Sequence, residues 1–327
     1  MEYRKLGNTD LALSAITYGA FAIGGNMWGG NERKDSIAAV HASLDHGVTS
    51  LDTAPFYGFG LSEKIIGEAL QGKDRTKVQI LTKFGLVWDG SNNGKGEYFF
   101  DAEDNGKSLP VYKYASKENL IKEVEESLQR LRTDYIDLLQ LHWPDTTTPI
   151  DETMLALQQL LQQGKIRAAG VSNYSVEQLQ DAGKTITPAS NQVPYSMLNR
   201  SIEKEMVHYV REKKIGIIAY SPLERGLLSG KYFSGAKLKD DDHRNGYFGQ
   251  FDPEAVKTLL TALAPLAEDK GASLARLVLR WTTQQPGITV ALAGARNAEQ
   301  AASNAKSMDF TLTQQELDFI QAQLQQL

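Results

Sequence analysis

Four polar side chains stand where short apolar runs give out. One run passes into Asp52-Thr53-Ala54-Pro55-Phe56-Tyr57-Gly58, a second ends at Leu81-Thr82-Lys83, and a third ends at Leu139-Gln140-Leu141-His142. If these runs are parallel strands of a closed barrel, their C-terminal ends converge on one pocket, where a carboxylate, a phenol, an ammonium and an imidazole meet. Such a set suits proton transfer. A phenol titrates near ~10, too high for easy donation at neutral pH, and a neighbouring ammonium lowers that value by favouring the phenolate. Asp52 would keep Lys83 charged and in place, and His142 is suited to hydrogen-bond a carbonyl oxygen that receives the proton. Taken singly, each residue reads as a turn acid, a half-buried aromatic, a solvated cation or a satisfied imidazole. Their conjunction at successive strand ends is what points to chemistry.

The elements that must position them are legible as alternation. Eight β-rich apolar runs, at 16–21, 48–51, 78–83, 135–141, 167–171, 189–193, 215–220 and 288–293, are separated by amphipathic segments. That pattern argues for a parallel sheet wrapped by helices. Ahead of the first run, residues 3–13 form two extended pieces around Gly7-Asn8, a hairpin that would close the barrel floor. Helices are marked independently: 32–46 places Ile37, Val40 and Leu44 on one face, and 116–131 does so with Leu120, Val124, Leu128 and Leu131. Ser175 with Gln178 and Thr313 with Glu316 have capping-box spacing. The expectation is one (β/α)8 TIM barrel spanning 1–327, with an N-terminal β-hairpin floor and long loops on the C-terminal face. Two polar stretches, 88–115 and 221–252, follow strands and read as lids or disordered insertions on that face.

Composition narrows the classes of function. The chain has 327 residues, 41% hydrophobic and 23% charged, with a formal net charge of -5 and no cysteine. Disulfides, thiolate metal sites and cysteine nucleophiles are excluded. No basic stripe suits nucleic acid or an anionic membrane, and no apolar stretch approaches the roughly 18 residues of a spanning helix. A small-molecule substrate and a cytoplasmic location are the default expectations. No metal is expected, since only His142 and Asp52 are candidate ligands at strand ends; His41, His46, His208 and His243 lack ligand spacing and read as surface residues.

The segments 52–58, Lys83 and Leu141-His142-Trp143-Pro144-Asp145 resemble the catalytic motifs of the aldo-keto reductase superfamily, in order and spacing over essentially the whole chain. Within it, the chain is most similar to bacterial general-stress type reductases and potassium-channel β-subunits. The resemblance implies carbonyl reduction with Tyr57 as general acid, Asp52 and Lys83 tuning it, and His142 orienting the carbonyl. It also implies a nicotinamide coenzyme, NADP(H), on the residues that follow.

Gly19, Ala20, Phe21 and Asp52 would line that site from the first two strands. Ser172 and Asn173 in Gly170-Val171-Ser172-Asn173-Tyr174, with Gln192, resemble the residues that hydrogen-bond the carboxamide. Tyr220, in Tyr220-Ser221-Pro222-Leu223, resembles the ring that stacks on nicotinamide. Arg225-Gly226-Leu227-Leu228-Ser229-Gly230-Lys231 is similar to the pyrophosphate loop, with Gly226, Leu228 and Lys231 as its contacts. Gly294, Arg296, Gln300 and Asn304 match the adenosine-phosphate motif, whereas Ser303 stands where the family commonly has glutamate. A guanidinium at a strand-to-helix junction suits a 2′-phosphate, and so NADPH over NADH.

Competing motifs fail on spacing: Tyr232 follows Lys231 where a P-loop needs Ser or Thr, and Glu63 ends what would be a dinucleotide fingerprint from Gly58. Phe21, Trp28, Trp88 and Trp143, with Tyr57 and His142, are candidates for the substrate wall. An alternative is a coenzyme-binding regulatory subunit with slow turnover.

Overall fold

Eight short strands close on themselves in chain order: β1 (Ile16–Gly19), β2 (Ser50–Asp52), β3 (Gln79–Phe84), β4 (Ile136–Leu141), β5 (Ile166–Ser172), β6 (Ser190–Pro194), β7 (Gly216–Tyr220) and β8 (Ile288–Gly294). All neighbours are parallel, including β8 against β1, where Gly294 pairs with Gly19. This architecture comes from a computed structural model that describes residues 1–25, 30–104, 106–238, 242 and 244–327. Trp28 and His243 lie outside the described residues. Each strand falls within about two residues of its apolar run, because strands buried on both faces read as nearly continuous hydrophobic sequence.

The barrel interior is layered by the two-residue period of a strand. Leu81, Leu138, Ala168, Ile218 and Val290 fill the lower interior with Leu6 and Leu13. Two residues further along the same strands stand Lys83, Gln140, Gly170, Tyr220 and Leu292, so a wholly apolar layer gives way to one that carries polar side chains without any change of backbone. Gly170 makes the upper layer possible, since a Cβ there would stand 2.3 Å from Ser190 Oγ. The floor is the expected hairpin, Tyr3–Lys5 antiparallel to Ala12–Ser14. Its turn residue Gly7 has φ +53°, and a methyl there would sit 2.3 Å from the Ala189 carbonyl oxygen.

The helices begin where their caps stand. Ser116 accepts from Asn119 N ahead of Lys117–Leu131, and both capping boxes, Ser175 with Gln178 and Thr313 with Glu316, are closed. None is long and apolar enough to cross a membrane among the described residues.

The stretch 88–115 departs from expectation. It is not a disordered insertion: it carries two strands, Glu97–Asp104 and Lys107–Lys113, forming an antiparallel sheet with Leu86–Val87. Tyr98 faces Tyr112 and Phe100 faces Val111, with an irregularity between Tyr98 and Phe100. Phe100, Ala102 and Val111 then cover Phe56, Trp88 and Leu86. The Gly, Asn and Asp residues that disguised these strands are largely confined to the turn before them. The stretch 221–252 carries a pair of tight turns over Glu224–Ser229, broken at Arg225 and Gly226, and the short helix Arg244–Phe248.

Candidate active site

Asp52 ends β2 and Lys83 stands near the end of β3, each 1% exposed, and Lys83 Nζ donates to Asp52 Oδ1 at 2.6 Å. The ammonium also donates to the Thr53 carbonyl at 2.9 Å. Asp52 Oδ2 accepts from Gln192 Nε2 at 2.8 Å and from Gln140 Nε2 at 3.5 Å, so its carboxylate is satisfied on both oxygens. Burial by itself would pull the Lys83 ammonium down, but Asp52 and then the Tyr57 phenol outweigh it and hold it above its ordinary value. Lys83 is a committed cation at neutral pH.

Tyr57 lies on a tight turn leading into the helix Leu61–Ala69, fixed by Tyr57 N to Ala54 O at 3.1 Å and Ser62 N to Tyr57 O at 3.2 Å. Gly58, with φ +61°, lets this turn press on the loop after β1, because a methyl there would stand 2.0 Å from the Gly24 carbonyl oxygen. Lys83 Nζ is 4.9 Å from the Tyr57 ring centroid, and the His142 ring meets the phenol ring edge to face at 5.7 Å. The four residues expected together are therefore together. Burial, the largest effect, leaves the phenol above its ordinary value even though Lys83 lowers it in the expected direction, and Asp52 adds to the rise. His142, 9% exposed just beyond β4, is held well below the usual imidazole range by burial and then by Lys83. It is a neutral hydrogen-bonding group.

The coenzyme candidates follow around the rim. Gly19 and Gly294 lie side by side at the ends of β1 and β8, Ala20 is buried beneath them, and the Phe21 ring packs on Tyr57 at 4.7 Å. Ser172 Oγ donates to the Gln192 carbonyl at 2.8 Å. Asn173, with φ +61°, donates through Nδ2 to the His142 carbonyl at 3.1 Å and to Ser172 Oγ at 3.1 Å, and its Oδ1 accepts from Tyr220 OH at 3.0 Å. Gln192 differs from expectation in that its amide nitrogen serves Asp52, which leaves Oε1 without a donor among the described residues.

After β7, Ser221 has φ +54°, Pro222 is buried, Leu223 is half-buried, and Glu224, Arg225 and Gly226 run through positive φ in succession. Left-handed geometry costs a non-glycine residue roughly 1–2 kcal/mol, so something must hold this turn. Glu224, 2% exposed, does so by accepting from the hydroxyls of Ser196 and Tyr247. Leu228 is fully buried and Lys231 is exposed.

Beyond β8, Arg296 N donates to Gln300 Oε1 at 2.9 Å and Asn304 Nδ2 to the Gly294 carbonyl at 3.0 Å. The Arg296 guanidinium donates to the Gly30 carbonyl, across the gap to the loop after β1. Asn297 caps the helix Ala298–Ala305, accepting from Gln300 N at 2.9 Å. A helix N-terminus beside a guanidinium has the polarity that suits an anion.

The aromatic wall is also a packing joint. Trp88 meets Phe56 at 5.8 Å and Phe59 at 5.7 Å, while Trp143 meets Phe99 at 5.2 Å. Trp88 packs on the Tyr57 turn and Trp143 fastens the antiparallel sheet to the end of β4, and both stay half-buried. His41, expected at the surface, is half-buried, with Nε2 2.8 Å from the Ala69 carbonyl oxygen. No group of three His, Asp or Glu side chains able to hold a metal occurs among the described residues.

Sequence reasoning missed Gln140 and the Glu224–Tyr247 contact. Gln140 carried a signal, being a lone polar residue inside the strand Ile136–Leu141 and in phase with Leu138. The second becomes apparent only once the fold brings Tyr247 to Glu224.

Comparison with known proteins agrees with the geometry. The aldo/keto reductase family profile matches residues 15–325. Aldo-keto reductase YhdN of Bacillus subtilis (strain 168) is 39% identical over 323 residues, covering 97% of this chain and 91% of that protein. The NADH-specific methylglyoxal reductase of Escherichia coli (strain K12) is 34% identical over 318 residues, covering 96% and 95%. The structure of the glycerol dehydrogenase AKR11B4 from Gluconobacter oxydans superposes with a TM-score of 0.86 at 36% identity, over 99% of this chain and 95% of that one. A closed parallel barrel with this polar upper layer, matched over nearly its whole length, belongs to the aldo/keto reductase family of nicotinamide-dependent oxidoreductases acting on carbonyl compounds.

Proposed function

We propose that this chain reduces an aldehyde or ketone with NADPH and that Tyr57 delivers the proton to the carbonyl oxygen. The observation that carries the reading is the buried Lys83–Asp52 pair at 2.6 Å, with the Tyr57 ring over its ammonium and His142 against that ring. The bound nicotinamide supplies the hydride. His142, being neutral, offers one N–H to the carbonyl oxygen and leaves proton donation to Tyr57. Burial makes the phenol a poor acid, and Lys83 offsets this by stabilising the phenolate left after transfer. Asp52 keeps that cation charged in a site that would otherwise neutralise it.

The donor set fits the coenzyme. Gln192 Oε1 is the free acceptor for a carboxamide, beside Ser172 and Asn173, and the half-buried Tyr220 ring offers a stacking face. The paired glycines at 19 and 294 leave a smooth floor with Ala20, Phe21 and Asp52 at its edge. Ser221, Pro222, Leu223, Gly226, Leu228 and Lys231 form the strap, and Arg296 and Gln300 flank a helix N-terminus suited to the 2′-phosphate, while Asn304, in the last turn of that helix, holds the Gly294 carbonyl. Arg296 carries the choice of NADPH, a choice that the Escherichia coli relative, by its name, does not share.

The test is oxidation of NADPH and of NADH against a panel of aldehydes, ketones and sugar aldehydes. Turnover with NADPH as the better coenzyme is expected. Stoichiometric coenzyme binding with no turnover on any carbonyl would overturn the reductase in favour of a redox-reporting subunit.

A further inference from the structure

One buried carboxylate is left unused by the proposed reduction. Glu123, 7% exposed on the helix Lys117–Leu131, turns its carboxylate to the chain just beyond β3, where Gly85 N donates to both of its oxygens at 3.1 Å. Asn119 Nδ2, which also donates to the Tyr114 carbonyl at 2.8 Å, is its other donor. No cation pairs with Glu123 among the described residues. The charges that act on it, Arg130 and Glu126, lie on its own helix, and Arg130 goes to Glu63 of the helix Leu61–Ala69 at 2.6 Å. On the other elements packed around this helix, Lys83 of β3 goes to Asp52, while Asp145 and Glu152 accept from Ala115 N and Lys117 N. Burial therefore dominates and pushes Glu123 up to about 8, with the Gly85 and Asn119 donors and Arg130 opposing it and Glu126 adding to it.

The peptide that Glu123 grips leads to the catalytic residues. Gly85 N and the Phe84 carbonyl belong to one peptide unit, and that carbonyl accepts from His142 N at 3.0 Å. Glu123 and His142 thus hold opposite ends of a single peptide, directly after Lys83 and Phe84. Gly85 has φ +91°, and a methyl there would stand 2.6 Å from Leu141 Cδ1, so glycine lets this peptide lie against the residue before His142. The backbone matters because the His142 imidazole makes no hydrogen bond among the described residues. Its place is set by the Phe84 bond to its N–H, the Asn173 bond to its carbonyl and the ring contact with Tyr57. An anion at the N–H end of a peptide polarises it and strengthens the bond made by its carbonyl. A buried carboxylate with no cation is costly where a neutral acceptor would satisfy the same N–H, which argues that the charge has a use.

We propose that Glu123 is a positioning residue of the reductase, which acts through the Phe84–Gly85 peptide to hold His142 against the substrate carbonyl. This rests on the reductase reading above and assigns a role to a residue outside it. The ionised carboxylate grips the peptide harder than the neutral acid does, so carbonyl reduction gains an ascending step as pH rises through the Glu123 value. Lys83, Tyr57 and His142 give no step there, since the first two are held above their ordinary values and His142 well below its own.

The experiment compares wild-type protein, Glu123→Gln and Glu123→Leu between about pH 6.5 and pH 9.5, where an unperturbed carboxylate does not titrate. It reads single-turnover reduction by preformed protein–NADPH complex, per coenzyme-binding site, and NMR of the His142 ring in histidine-labelled protein. In wild type the rate should rise by about three- to tenfold across that range, the difference between a hydrogen bond to a charged acceptor and one to a neutral acceptor. The His142 ring resonances should shift in step while the ring stays neutral. Glu123→Gln keeps the shape and a neutral acceptor, so the step and the shift should both vanish with NADPH affinity unchanged. Glu123→Leu leaves Gly85 N without an acceptor and should slow reduction by about ten- to hundredfold at every pH, a loss that the Gln variant largely avoids. A flat wild-type profile, or the same step in Glu123→Gln as in wild type, would overturn the positioning role and leave the proposed reductase standing. Wild-type protein that binds NADPH and reduces no carbonyl would overturn the reductase instead, and the His142 resonances would still report whether Glu123 reaches that ring.

Discussion

Replacing Asp52 with asparagine keeps the shape of the side chain and removes the charge against which Lys83 is buried. Across the observed 2.6 Å, the attraction at an effective dielectric constant of about 20 is ~6 kcal/mol. Desolvation of the two ions takes back a large share of it, so leaving the ammonium unpaired should cost about 3–5 kcal/mol of stability. At about 2 °C per kcal/mol for a chain of this size, the melting temperature should fall by about 6–10 °C at pH 7. The pH dependence tests the cause. In the native protein Lys83 sits above its ordinary value, so its contribution is complete below the unfolded-chain value of about 10.4 and is lost only as pH rises through the folded value. It gives no slope between pH 7 and 9. In Asp52→Asn, burial wins and the folded value drops below the unfolded one. Between those two values the unfolded chain binds more protons than the folded chain, and stability rises with pH. Melting curves of both proteins at pH 7 and pH 9.5 should therefore show a deficit that shrinks at the higher pH. A constant deficit, or none, would mean that Lys83 is not held charged by Asp52.

Arg296→Ala should weaken NADPH by about ten- to hundredfold in a fluorescence titration and leave NADH almost untouched, because only the 2′-phosphate exchanges charge-assisted hydrogen bonds with it. Equal loss of both coenzymes would withdraw Arg296 from that role. In the antiparallel sheet, Phe100→Ala should cost about 1–2 kcal/mol by opening the contact with Phe56, whereas Tyr98→Ala, at a side chain 54% exposed, should stay within about 0.5 kcal/mol. Denaturant titrations giving the two variants the same stability would contradict this packing.

What was legible in sequence follows from periodicity. Buried parallel strands announce themselves as apolar runs, and Asp52, Lys83 and His142 could be placed because each lies where such a run ends. Ser175 and Thr313 could be read as caps because a cap is local. The antiparallel sheet was hidden because its alternation, in strands such as Glu97–Asp104, is interrupted at Phe99 and preceded by a turn rich in Gly and Asn. The net rise in the Tyr57 value was hidden too, since a neighbouring lysine is visible in sequence and the depth of burial is not. Gln192 was found but given half its work, because its bond to Asp52 joins strands 140 residues apart.

The central claim is that Tyr57 is the proton donor and not a binding residue, and Tyr57→Phe tests it most directly. Single-turnover reduction by preformed protein–NADPH complex, measured beside equilibrium coenzyme affinity, separates the two roles. The account predicts loss of nearly all carbonyl reduction, by at least about a hundredfold as expected for a positioned general acid, with NADPH affinity within about twofold of wild type. Reduction at an undiminished rate, or a loss of activity that tracks a matching loss of coenzyme affinity, would contradict it.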